Sequence, residues 1–70
     1  MDLRNNTITL GELLANPRSR AVLHRRFGQL LSHPMAGAAR PLTLAQLTAM
    51  ADGRMPASVI RETLEELNGL

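Results

Sequence analysis

The sequence predicts an all-α fold, a compact bundle of four short helices, from three kinds of observation. Two capping boxes, Thr9-Leu10-Gly11-Glu12 and Thr43-Leu44-Ala45-Gln46, mark helix starts. Two prolines, Pro17 and Pro56, stand where the first turn of a helix has no use for an N–H. Between these marks, aliphatic residues recur at intervals of three and four rather than two.

In the first box the Thr9 hydroxyl can accept from the Glu12 amide, while the Glu12 carboxylate reaches back to the Thr9 N–H. Leu10, Leu13 and Leu14 supply the apolar stripe. Asn16-Pro17 ends this helix and opens the next, with Asn16 as N-cap and Pro17 at the first helical position. The second helix should run to about Phe27. If it continues through Gly28, Leu23, Phe27 and Leu30 share a face, and Arg18 and Arg25 lie nearly opposite. If Gly28 stops it, Gln29 to Leu31 form a separate turn.

Pro34, Gly37 and Pro41 make Ser32 to Leu42 a connector, in which Met35-Ala36-Gly37-Ala38-Ala39 suits a helical turn. The second box opens a third helix from Leu44 to about Ala51, with Leu44, Leu47 and Ala51 on one face and Asp52-Gly53 as its stop. Pro56 opens the fourth, to about Leu67, with Ile60, Leu64 and Leu67 inward and Arg61, Glu62, Glu65 and Glu66 wet. Thr9-Leu10-Gly11-Glu12-Leu13 matches Thr43-Leu44-Ala45-Gln46-Leu47 at an offset of 34, and the two prolines follow at an offset of 39. This faint repeat would group the helices as two helical hairpins. We expect a flexible segment over 1–7 and a single helical domain over 8–70. The expected core is Leu10, Leu13, Leu14, Val22, Leu23, Phe27, Leu30, Leu44, Leu47, Ile60, Leu64 and Leu67.

Composition narrows the function classes. Seventy residues make one small domain, and with no cysteine no disulfide can brace it. So small a core predicts marginal stability or homodimerisation, and a self-associating structural module, its core completed across a dimer interface, is one alternative function. The lack of cysteine suits the cytoplasm, and no run approaches the ~20 apolar residues that span a bilayer. Phe27 is the only aromatic residue, which removes the stacking platforms of single-strand nucleic-acid binders. All eight basic residues are arginine, which we read as codon bias. Residues 1–40 hold six arginines against two acids, a surplus of four positive charges; residues 41–70 hold two against four, a surplus of two negative. The two halves should attract each other, or the basic half should dock an acidic partner.

No catalytic apparatus is expected. Ser19, Ser32 and Ser58 lack the glycine-flanked elbow of a nucleophile, and no cysteine is available. His24 and His33 lack the spacing of helical metal ligands, and no glycine-rich phosphate loop or cofactor motif is present, so neither metal nor cofactor is predicted. What remains is binding. Methionine surfaces adapt to partners, and Met35, Met50 and Met55 flank the third helix and a long connector of small residues. We therefore expect a protein partner at Met35, Arg40, Met50 and Met55, on a small apolar surface near residues 33–42. The alternative is nucleic acid held by the arginine-rich second helix, through Arg18, Arg25 and Arg26.

One family pattern covers most of the chain, from about residue 7 to 70. Its elements here are Thr9-Leu10-Gly11-Glu12-Leu13-Leu14-Ala15-Asn16-Pro17, Ala21-Val22-Leu23, Ser32-His33-Pro34-Met35, Leu42-Thr43-Leu44 and Glu66-Leu67-Asn68. With these the chain resembles a small helical accessory domain appended to some bacterial carbohydrate-active enzymes, glycoside hydrolases among them. Where that pattern has Pro-Gly this chain has Phe27-Gly28, and where it has Thr-Pro this chain has Met55-Pro56. The resemblance implies a non-catalytic accessory module and transfers no active-site residue.

Overall fold

Why the helices start where they do is visible in a computed structural model that describes residues 1–70. Both capping boxes form. The Thr9 N–H donates to Glu12 Oε2 (2.9 Å) and the Glu12 N–H to Thr9 Oγ1 (3.2 Å). The Thr43 N–H donates to Gln46 Oε1 (2.8 Å) and the Gln46 N–H to Thr43 Oγ1 (3.2 Å). They open α1 (Leu10–Ala15) and α3 (Leu44–Ala51). Asn16 closes α1 and caps α2 (Pro17–Leu31), its side-chain oxygen accepting from the Arg18 N–H (2.9 Å). A 3-10 helix over Pro34–Ala39 occupies the connector, and α4 (Ala57–Asn68) follows Pro56, which is the N-cap rather than the first helical residue.

The two boxes face each other. Thr9 and Thr43 form an isolated antiparallel bridge. Across it, the Leu10 N–H donates to the Leu42 carbonyl (2.9 Å) and the Gly11 N–H to the Arg40 carbonyl (2.9 Å). In return the Leu44 N–H donates to the Ile8 carbonyl (2.8 Å) and the Ala45 N–H to the Asn6 carbonyl (3.0 Å). Each helix thus satisfies its first two orphan amides with the carbonyls one and three residues before the other helix's cap. The faint sequence repeat corresponds to a local two-fold arrangement.

The core is Leu3, Ile8, Leu10, Leu13, Val22, Leu23, Leu44 and Leu67, with Ser19 and Thr63 buried among them. The expected boundary at residue 8 does not bound this core, since Leu3 is only 3% exposed. Arg4, Asn5 and Asn6 make the turn between Leu3 and Ile8 with three successive positive φ angles (50°, 56° and 66°), a conformation asparagine tolerates better than arginine. The Arg4 N–H donates to Asp2 Oδ1 (2.8 Å), and both the amide and the hydroxyl of Thr7 donate to the Arg4 carbonyl (3.1 and 2.7 Å), holding that turn.

Packing departs from two equal hairpins. α2 packs on α1 and on α4, whereas α3 joins the molecule chiefly through the bonds at its N-terminus and touches α4 little. Phe27, Leu14, Leu47 and Leu64, expected in the core, are half-buried at its edge, and Ile60, also expected there, is half-buried away from it. Leu30, also expected inside, is 58% exposed. The radius of gyration, 11.1 Å, nonetheless equals the ~11 Å expected of a folded domain of this length. No helix is long and apolar enough to cross a membrane.

Candidate functional site: an apolar cleft

The space between α3 and α4 is an apolar cleft of about 220 Å3. Three walls enclose it. Leu23, Phe27, Leu30 and Leu31 come from α2; Leu44, Leu47, Thr48 and Ala51 from α3; Ile60, Thr63, Leu64 and Leu67 from α4. Leu10 and Leu13 reach it from α1, and Met55 from the turn between α3 and α4.

Each wall has a local cause. α2 runs through Gly28, but at Phe27 the backbone leaves helical values (φ −134°, ψ 32°) and the helix kinks. Beyond the kink, successive residues Leu30 and Leu31 both line the cleft. The turn after α3 is closed by the Arg54 N–H donating to the Ala51 carbonyl (2.9 Å) and the Met55 N–H to the same oxygen (3.1 Å). Gly53 takes φ +79° there, which a glycine adopts without the steric cost other residues meet.

Thr48 and Thr63 are the two polar side chains in the lining, and both are spent on their own helices. The Thr48 hydroxyl donates to the Ala45 carbonyl (2.9 Å) and the Thr63 hydroxyl to the Val59 carbonyl (2.7 Å). The cleft therefore offers apolar contact and almost no hydrogen bonding.

The residues singled out from sequence are distributed over several places. Met55 is half-buried and lines the apolar cleft. Met35 and Met50 are 66% and 57% exposed and stand outside it. Arg40 lines a second, polar recess beside the 3-10 helix. Arg25 and Arg26 converge on one carboxylate: Arg26 Nε lies 2.7 Å from Glu66 Oε1, and the Arg25 guanidinium pairs with Glu66 Oε2. The hydrogen bond from Arg26, with the charge of Arg25 beside it, holds the Glu66 carboxyl below the ordinary glutamate pKa. Attraction between the basic and acidic halves is thus realised at α2 and α4. Arg18 is exposed and in no ion pair.

Leu30, Ile60 and Leu64 were legible as apolar helix positions but read as core. The signal that could have moved them to a surface is the five-residue link between α3 and α4, against the single residue that joins α1 to α2. Compared with protein-family models, curated proteins and solved structures, the chain finds no match.

Proposed function

We propose that the chain is a non-catalytic protein-interaction domain whose binding surface is the apolar cleft between α2, α3 and α4, and whose partner supplies an amphipathic helix. One observation carries this reading: the cleft is walled by apolar side chains, and its two hydroxyls are already bonded to their own helices. A segment entering such a cleft finds nothing to satisfy its backbone, so it must satisfy that backbone internally, as a helix does. A role beside a larger enzyme, which the resemblance to an accessory domain implies, is compatible with this binding mode. Nucleic-acid binding through Arg18, Arg25 and Arg26 is the weaker reading, because Arg25 and Arg26 are already paired with the Glu66 carboxylate, which offsets one of their two charges.

The test uses exposed positions, so the fold is not at stake. Tagged chain should capture a protein from its own cells after nuclease treatment. Met35→Glu and Met50→Glu should retain that protein, and Leu30→Glu, at the rim of the cleft, should lose it. Loss with Met35→Glu alone would return the surface to the connector. Capture of nuclease-sensitive material that depends on Arg18 would replace this reading with the nucleic-acid one.

A further inference from the structure

The recess beside the 3-10 helix is lined by two arginines, two histidines and no carboxylate. Arg20 and His24 stand four residues apart on α2, hence on one face, while His33 and Arg40 flank the 3-10 helix at its two ends. Leu14 and Leu31 contribute apolar surface. The volume, about 480 Å3, falls within the range of small-molecule sites.

Charge in this recess is uncompensated by the chain. The ion pairs of the molecule engage Arg4, Arg25, Arg26 and Arg61; neither Arg20 nor Arg40 meets a carboxylate. Two guanidinium groups facing one cavity repel each other, and an anion between them reverses the sign of that interaction. The frame is fixed. The Arg40 carbonyl accepts from the Gly11 N–H (2.9 Å), and His33 Nδ1 accepts from the Met35 N–H (3.1 Å). With Nδ1 occupied by that bond, Nε2 is the ring atom left to face a ligand.

We propose that this recess binds the phosphate group of a small organic phosphate monoester. Arg20 and Arg40 balance the charge, His24 and His33 supply imidazole donors, and the organic part lies against Leu14 and Leu31. A monoester carries about −1.5 to −2 charges near neutral pH, matching two guanidinium groups where a carboxylate matches one. The basic groups form one cluster rather than a track, which suits a single phosphate and not a polymer of them. The recess shares Leu31 with the apolar cleft, but its four basic side chains lie outside that cleft, so the two readings are tested at different residues.

The experiment is a titration of 15N-labelled chain with phenyl phosphate, inorganic phosphate and benzoate at constant ionic strength, followed by amide shifts. Phenyl phosphate should give saturable shifts centred on residues 20–24 and 33–40 and should bind more tightly than the other two. Arg20→Gln and Arg40→Gln should each weaken it by about tenfold or more, the usual effect of losing one charge-assisted contact. Arg18→Gln, on the same helix outside the recess, should leave it unchanged. Shifts that never saturate, or that survive both substitutions in the recess, would overturn the site. Benzoate binding as tightly as phenyl phosphate would overturn the assignment to phosphate.

Discussion

Thr9 and Thr43 head two segments that match position by position. Leu10 and Leu44 are both buried, and each donates its N–H to the carbonyl preceding the other's cap. Three residues further on the match breaks: Leu13 is completely buried, whereas its counterpart Leu47 is half-buried in the cleft wall. The cause lies downstream. One residue, Asn16, joins α1 to α2, and Ser19 locks that corner, its buried hydroxyl donating to the Leu13 carbonyl and to the Asn16 carbonyl (3.3 Å). Five residues join α3 to α4, and these helices stay apart. The same start signal therefore yields a closed helix pair in one half and an open one in the other. The length of the link, not the capping box, decides which half can present an apolar surface.

The largest test of this contrast is truncation at the paired leucines. Leu13→Ala removes a side chain with no exposed surface, deep beside the cleft, and should cost about 2–5 kcal/mol. Leu47→Ala opens onto the cleft, leaves no sealed cavity, and should cost only about 1–2 kcal/mol. At roughly 4–8 °C per kcal/mol for a domain of this size, thermal unfolding separates the two. Equal losses would mean that the cleft is closed in solution, by rearrangement or by a second copy of the chain.

Next come the caps. Thr9→Ala and Thr43→Ala should each cost about 1 kcal/mol, the usual loss of an N-cap oxygen. Because the two boxes share one set of reciprocal bonds, the double variant should depart from additivity by about 0.5 kcal/mol or more, which a double-mutant cycle in urea would measure. Strict additivity would show that the local two-fold is geometric only. A smaller effect belongs to Gly11, which corresponds to the exposed Ala45. A Cβ at Gly11 would sit 3.3 Å from the Arg40 carbonyl oxygen, and that oxygen cannot retreat while it accepts the Gly11 N–H. Gly11→Ala should thus forfeit the ~1 kcal/mol that alanine normally gains in a helix and lower stability slightly. A rise in melting temperature would show that the connector yields.

Much of this was readable in the residues because it is local. Capping boxes, Asn16-Pro17 and Asp52-Gly53 act over three or four positions, and the helix starts fall within a residue of where they point. What was not readable is long-range. Leu3 and Ile8 carry no periodic pattern, and they enter the core because a turn of three left-handed residues folds back beneath α3. Leu30, Ile60 and Leu64 obey the helical period as core residues do; only the separation of α3 from α4 puts them on a cleft. Of the methionines offered as a surface, Met55 alone reaches the cleft, because side-chain type says nothing of which helices part. The arginines of α2 likewise gave no sign that Glu66, forty positions on, would engage two of them.

The smallest effect isolates the one chemical difference between the boxes. Position N3 is Glu12 in the first and Gln46 in the second. The hydrogen bond from the Thr9 amide, together with the charge of Arg4, holds the Glu12 carboxyl below its ordinary pKa of 4.5. A carboxyl whose folded value is depressed contributes stability that is fully present above the unfolded value and is lost as pH falls through the folded one. The first box should therefore weaken below about pH 4.5 while the second does not. The Glu66 carboxyl is lowered too, by its bond from Arg26, so global unfolding in acid would mix the two groups. The amide protons of Thr9 and Thr43 separate them: the Thr9 signal should move through an acid transition and the Thr43 signal should stay nearly flat. Glu12→Gln, which turns the first box into a copy of the second, should flatten the Thr9 profile and leave the acid sensitivity due to Glu66 in place. A Thr9 profile that persists in Glu12→Gln would assign that titration to another group and remove the carboxylate from the account of how α1 starts.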